Sequence, residues 1–169
     1  MLALPARTGL YHPLDAAAFG AMNYDLFMGE ALAEARLTVA LGGPPIAAVV
    51  VVHDAMVARA HDRVRETNDP TAHAVIVALR EATRRLGTTD LGDATIFATI
   101  EPCAMCVGAL LQSDVEALVF ALPDPIEGAA GSVLQLAQHA GLPRRLRVVS
   151  GIRRDEVEEL FAGPLPARA

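Results

Sequence analysis

One histidine and the only two cysteines of the chain have the residue types and the spacing of a metal site. His73 is followed by Cys103, and Cys106 completes a C-x-x-C pair with it. Three such ligands leave the fourth position of a tetrahedral zinc ion open, which is typical of catalytic zinc sites and not of structural ones. The sequence therefore predicts Zn²⁺ bound by His73, Cys103 and Cys106. The alternative is an ordinary histidine at a helix start and two cysteines buried as small apolar side chains.

The residues around this set favour the metal. The chain reads D-P-T-A-H at residues 69–73, T-I-E-P-C-A-M-C at 99–106 and G-A-A-G-S at 128–132. These segments resemble the zinc-dependent nucleoside deaminases, whose signature is H-x-E followed by P-C-x-x-C, and within them the tRNA-adenosine and guanine deaminases. The resemblance covers roughly residues 25–161. It implies the cytidine deaminase-like fold, a three-layer α/β/α sandwich with a central five-stranded mixed sheet.

The resemblance also implies a chemistry, hydrolytic deamination in which zinc activates a water molecule. At one position the chain departs from the signature, because Val75 occupies the place of the general acid/base glutamate. In the family that glutamate moves protons between the water, the ring nitrogen and the leaving ammonia, and a valine can do none of this. We therefore expect a pseudo-deaminase, or a strongly impaired deaminase, with a pocket for a nucleobase or nucleoside and a preference for purines.

Three alternatives remain open at this stage. A displaced acid could serve in a working zinc hydrolase that acts on a small base or nucleoside, and the candidates are Glu66, Asp69 and Glu101. The valine could be an engineered replacement in an ordinary deaminase. The domain could also be a zinc scaffold with no affinity for any base.

Three further departures concern the ligand. The strand-opening P-V-G-A-V, which supplies backbone contacts to the base in the family, reads P-I-A-A-V here. Ala47 and Ala48 are therefore candidate substrate-binding residues, and the methyl group of Ala47 narrows the site. The asparagine that the family uses on the ribose corresponds to Asp62, which accepts a bond from a hydroxyl but repels phosphate. Residues 163–169 are short and nearly uncharged where tRNA-acting relatives carry a basic extension. Together these departures argue against tRNA as a partner.

The composition of the chain also argues against tRNA as a partner. The chain has 169 residues, 53% of them hydrophobic, with a net charge of −6 and 4% aromatic residues. An acidic chain has no general electrostatic hold on a phosphate backbone, and few aromatic rings are available to stack on single-stranded bases. The large apolar share predicts a homodimer interface. A heterodimer with an active deaminase is the alternative, because the non-catalytic subunit of the eukaryotic tRNA wobble-adenosine deaminase also has valine at this position.

Cysteine use and hydropathy predict a location. Both cysteines belong to the metal motif, so none is left to form a disulfide elsewhere in the fold. No signal peptide is recognisable, and the longest apolar run, residues 46–52, is too short to cross a bilayer. The sequence predicts a cytoplasmic protein with no membrane contact.

Helices and strands must then position the candidate residues. We expect an irregular N-terminal arm (1–23), a deaminase-like zinc domain (24–162) and a short C-terminal tail (163–169). Hydrophobic patterns predict strands at 46–53, 56–61, 94–100, 115–122 and 147–150. Two predicted helices run from Asp25 to about residue 41 and from Asp69–Pro70 to about residue 86. A third begins at Pro102, a short fourth follows Ser132 and ends at about residue 140, and the last covers 155–161. This places His73 and both cysteines in the first turns of helices, where the helix dipole favours thiolates.

Overall fold

The computed structural model describes residues 22–162 of the chain. Its helices are α1 (Tyr24–Ala40), α2 (Val64–Thr67), α3 (Ala74–Leu86), α4 (Ala104–Gln112) and α5 (Arg154–Ala162). Its strands are β1 (Ala47–Val52), β2 (Ala55–His61), β3 (Ala94–Ile100), β4 (Ala117–Leu122) and β5 (Arg147–Ser150). The predicted arm, apart from Met22 and Asn23, and the predicted tail lie outside the described residues, so the three-part division of the chain stays a prediction.

The five strands form one mixed sheet in the order β2-β1-β3-β4-β5. β1 is antiparallel to β2 and to β3, whereas β3, β4 and β5 run parallel. The β1–β2 hairpin turns at His53 and Asp54, which both have positive φ (49° and 59°), as a two-residue turn between twisted strands requires. The ends of β3 and β4 consequently lie side by side, and the metal motif follows β3 directly.

Alternate residues of each strand point into two separate cores, which makes the fold three layers deep. One face of the sheet packs against α3 and α4, through side chains such as Val50, Ile96 and Leu118. The other face packs against α1 and α5, and there Phe97 contacts Tyr24 and Phe27 with ring centroids 6.0 Å and 5.5 Å apart. The predicted α/β/α sandwich with a five-stranded mixed sheet is confirmed.

Two predicted helix starts were wrong, and local hydrogen bonds explain both. α1 is capped by Asn23, whose side chain accepts from the Leu26 N–H at 2.9 Å, and not by Asp25. The carboxylate of Asp69 accepts from the backbone N–H and the hydroxyl of Thr71 at 2.8 Å and 2.6 Å. Asp69 therefore closes a turn of its own, and α3 begins only at residue 74.

The helix predicted between Ser132 and about residue 140 does not form. Two of its backbone N–H groups bond outside the segment, since those of Leu136 and Ala137 donate to the carbonyl of Ala129 at 3.0 Å and 3.2 Å. The carbonyl of Ala137 accepts from the N–H of Leu146 at 2.8 Å. Tertiary partners thus replace the helical ones, and the alanine- and leucine-rich composition does not decide the structure.

The segment between β2 and His73 contains the short helix α2, which ends at Asn68 in a left-handed conformation with φ 51°. Across residues 22–162, every helix is too short or too polar to cross a bilayer.

Candidate metal centre

Helix starts position all three predicted metal ligands. His73 and Cys103 immediately precede α3 and α4 in extended backbone conformations, and not in the first helical turns as predicted. Cys106 lies in the first turn of α4, as predicted. α3 and α4 pack on the same face of the sheet. Parallel β3 delivers the chain to Cys103, while the loop after β2 delivers it to His73. The sheet therefore brings together ligands that lie far apart in sequence.

The separations of the three ligand atoms fit a tetrahedral zinc ion. Zn–N and Zn–S bonds of ordinary length at a tetrahedral angle place a nitrogen and a sulfur about 3.6 Å apart. Nδ1 of His73 lies 3.6 Å from Sγ of Cys103 and 3.7 Å from Sγ of Cys106. All three ligand atoms lie within 4.8 Å of one another. The imidazole and two sulfurs can hold a zinc ion through Nδ1 and both Sγ atoms, with a fourth position open.

Without a metal ion, the pKa values of the three ligands are shifted in different directions. The hydrogen bond from the Cys106 thiol lowers the pKa of Cys103 to about 4, against the effect of burial, and the His73 ring lowers it further. The same bond, together with burial and the charge on Cys103, raises the pKa of Cys106. The Cys103 thiolate is the main cause of a raised pKa at His73, and the charges of Asp62 and Glu127 add to it.

Zinc binding is therefore expected to release protons at neutral pH and to weaken as the pH falls. The bound form needs a neutral imidazole and two thiolates, so the metal must displace the proton of Cys106 and part of one from His73. The pKa values of His73 and Cys106 are both raised. Protons therefore compete with zinc at a higher pH than they would at an unperturbed imidazole and thiol. The expected slope of log affinity against pH is about 1–2 near neutrality. Chelator competition at several pH values measures it, and a pH-independent affinity would contradict this assignment of protons.

The position predicted for the family's general acid/base holds a buried hydrocarbon side chain. Val75 is the second residue of α3, 5% exposed, and it packs in the same core cluster as Cys106 and Ala48. No proton donor or acceptor is present on its side chain. Its role as the site of the missing glutamate stays a prediction from the resemblance.

The three acids considered as displaced replacements are each held by other partners. Glu66 is exposed and pairs with Arg63 at 2.6 Å and with His61 at 3.5 Å. Asp69 is bound to Thr71 in the turn described above.

Glu101 is the third acid, and it is buried behind the metal motif. It is 2% exposed and accepts from the backbone N–H groups of Asp124, Ala130 and Ser132 at 3.1, 2.8 and 3.1 Å, and from the Ser132 hydroxyl. Its carboxylate holds the loop that follows β4, and all its acceptor capacity is used there.

The predicted substrate-binding residues lie at the start of β1 and directly after β2. Ala47 and Ala48 open β1 and are buried, and the N–H of Ala47 donates to the Thr99 hydroxyl at 3.0 Å. Asp62 follows β2, half-buried, and its side chain accepts from the Val64 N–H at 3.3 Å. Their contacts with a substrate stay a prediction.

One carboxylate near the metal set, that of Glu127, was not predicted from the sequence. Glu127 lies in the loop after β4, and its neighbour Gly128 forms an isolated bridge with Cys103. Only the tertiary contact between two loops brings Glu127 toward the ligands. Its place directly before the G-A-A-G-S segment was the one hint available, and no chemistry attaches to that position in the motif.

Comparison with known proteins gives a consistent picture. Residues 22–122 match the cytidine and deoxycytidylate deaminase zinc-binding region. The chain is 41% identical over 133 residues to the tRNA-specific adenosine deaminase of Bacillus subtilis (strain 168), covering 78% of this chain and 82% of that protein.

Solved structures agree. One, from studies of A-to-I editing by tRNA:A34 deaminases at the wobble position of transfer RNA, has a TM-score of 0.74 and 37% identity, covering 80% of this chain and 98% of the other. The guanine deaminase from Nitrosomonas europaea has a TM-score of 0.70 and 29% identity, covering 94% of each chain. The predicted resemblance and the prediction of a zinc-binding domain are confirmed.

The prediction that argued against tRNA as a partner was wrong. Relatives over most of this chain are tRNA-specific adenosine deaminases. Net charge and the chemistry of residues 163–169 are poor guides here, because a protein can contact phosphates through a few local groups whatever its overall charge.

Proposed function

This chain belongs to the cytidine and deoxycytidylate deaminase zinc-binding family, and from that premise we propose a function near that of the tRNA-adenosine deaminases. It binds zinc through His73, Cys103 and Cys106 and receives a purine base, presented by tRNA, beside the metal. It turns that base over weakly, because Val75 occupies the position of the general acid/base. The observation that carries the proposal is a ligand set with tetrahedral zinc spacing next to a hydrocarbon side chain.

The relatives support the substrate class. The B. subtilis relative is a tRNA-specific adenosine deaminase, and a structural neighbour comes from work on deamination of A34 in transfer RNA. The guanine deaminase neighbour shares the fold and acts on a purine as well. A purine is therefore the base class that these relatives have in common.

The chain's own residues support the weak turnover. When bound, zinc supplies Lewis-acid activation of a water molecule in this family. Moving protons from that water to the ring and to the leaving ammonia needs a side chain that can titrate, and Val75 cannot. The acids Glu66, Asp69 and Glu101 are committed to ion pairs, a turn and a loop, so they offer little rescue.

The proposed function is tested with zinc-loaded protein and an anticodon stem-loop that carries adenosine at the wobble position. We expect about one zinc per chain, saturable binding of the stem-loop, and ammonia release slower by about 10²–10⁴-fold than in a relative that retains the glutamate. Free guanine and adenosine complete the substrate panel.

Two outcomes would contradict the proposal. Turnover as fast as in such a relative, abolished in Cys103→Ala, would mean that another group of this chain moves the protons. Full zinc occupancy with no affinity for tRNA, nucleoside or base would leave the domain a zinc scaffold.

A further inference from the structure

Two carboxylates approach the metal set from loops that the deaminase signature does not include. Asp62 is half-buried after β2, and Glu127 is exposed in the loop after β4. Position 75, where the family has a carboxylate, carries a hydrocarbon. The first turn of α3 thus carries no negative charge, whereas two loop positions do.

Backbone hydrogen bonds hold Asp62 next to the histidine ligand. The N–H of Arg63 donates to the carbonyl of Ala72 at 2.9 Å. This bond joins the residue after Asp62 to the residue before His73. The loop is fixed at its other side too, since the Asp62 N–H donates to the carbonyl of Ile46 at 3.0 Å.

Glu127 is held next to the cysteine ligands in a similar way. The N–H of Ala129 donates to the carbonyl of Pro102 at 2.9 Å, and Gly128 bridges to Cys103. Gly128 also has no room for a side chain, because a Cβ there would lie 2.5 Å from a carboxylate oxygen of Glu101. The loop that carries Glu127 is therefore packed closely against the segment that contains Cys103.

Both carboxylates belong to loops that are joined by backbone bonds to the segments carrying the ligands, and their charges are not cancelled by ion pairs. Within residues 22–162, neither Asp62 nor Glu127 forms an ion pair with an arginine or a histidine. By contrast Glu66, close to Asp62 in sequence, is paired with Arg63.

We propose that Asp62 and Glu127 are positioning residues of the metal centre, supplying from two loops the negative charge that position 75 lacks and so strengthening the hold on a divalent cation. A bound dication adds positive charge to the ligand set, and anions held nearby favour that state. This inference rests on the proposed function, because it takes the metal pocket as given.

Zinc affinity, measured by chelator competition on the whole chain, tests the inference without any activity assay. Asp62→Asn and Glu127→Gln keep side-chain size and are each expected to weaken zinc binding by about threefold to tenfold. The double variant is expected to lose more than either single one. At high salt the difference in zinc affinity between the double variant and wild type is expected to decrease, because salt screens charges and leaves side-chain shape unchanged.

Glu66→Gln is the matched control, since it removes a nearby carboxylate whose charge is already neutralised by its partners, and its zinc affinity is expected to equal that of wild type. Val75→Glu placed in the double variant is expected to recover most of the lost affinity, because it restores one carboxylate beside the metal.

Unchanged affinity in the double variant would overturn the inference. So would a loss of equal size at low and high salt, or an equal loss in Glu66→Gln. Melting temperatures of the metal-free proteins identify any variant that weakens binding by unfolding. If wild type itself binds no zinc, the proposed function fails, and that result is distinct from equal binding by all variants.

Discussion

Val75→Glu is expected to raise the rate of deamination by about 10²–10⁴-fold over wild type. The gain corresponds to about 3–5 kcal/mol of activation free energy. Val75 lies two residues after the histidine ligand and in the same buried core cluster as Cys106, so a carboxylate there is expected close to the metal set. That carboxylate could accept a proton and return it to the ring and the leaving group, which the wild-type side chain cannot do.

The gain in rate has a cost in stability before metal binds. A carboxylate in a site that is 5% exposed loses its water, and only the cation replaces that solvation. We therefore expect the metal-free variant to unfold more easily than wild type and zinc to restore most of the difference.

The measurement is single-turnover ammonia release from zinc-loaded protein with adenosine in an anticodon stem-loop. Val75→Gln is the control, because it has the size and polarity of the glutamate variant but cannot exchange a proton, and its rate should stay at the wild-type level. If the glutamate variant binds zinc and tRNA but still deaminates slowly, the residue at position 75 does not limit the rate. The departures at Ala47 and Asp62 would then be the cause of the slow reaction.

Glu101→Ala is expected to lower the free energy of unfolding by about 3–5 kcal/mol. The carboxylate is 2% exposed and accepts three backbone N–H groups and the Ser132 hydroxyl. Removing it leaves these donors without a partner in a buried site, and each such group costs about 1–3 kcal/mol unless water enters. Partial entry of water keeps the expected total below the sum.

Urea unfolding of the metal-free protein measures this loss. Glu158→Ala is the control, because that carboxylate is exposed and pairs only with Arg154 on the surface of α5. Its removal should change stability by less than about 1 kcal/mol. If Glu101→Ala also fell within about 1 kcal/mol of wild type, the loop after β4 would be held by its own backbone contacts and not by this carboxylate.

The sheet was largely predictable because its strands are short apolar runs between turn residues. β3 and β5 begin and end where the pattern predicted, and β1, β2 and β4 differ by one or two residues at their ends. Helix starts were less predictable. Asp25 and Asp69 are good capping residues by type, but Asn23 caps α1 and Asp69 closes a separate turn, because several polar side chains competed for each start.

The sequence by itself determined the metal chemistry of this protein, since His73, Cys103 and Cys106 are residue types whose spacing and neighbouring motif suit zinc in any fold of this family. It also placed a hydrocarbon at position 75. Only the tertiary structure decided which acids stand near the ligands and which are committed elsewhere. It buried Glu101 under a loop and brought Glu127 past Cys103. It also turned the segment after Ser132 away from a helix. The physical reason is that ligand identity is a property of single side chains, whereas burial, pairing and approach depend on segments distant in the chain.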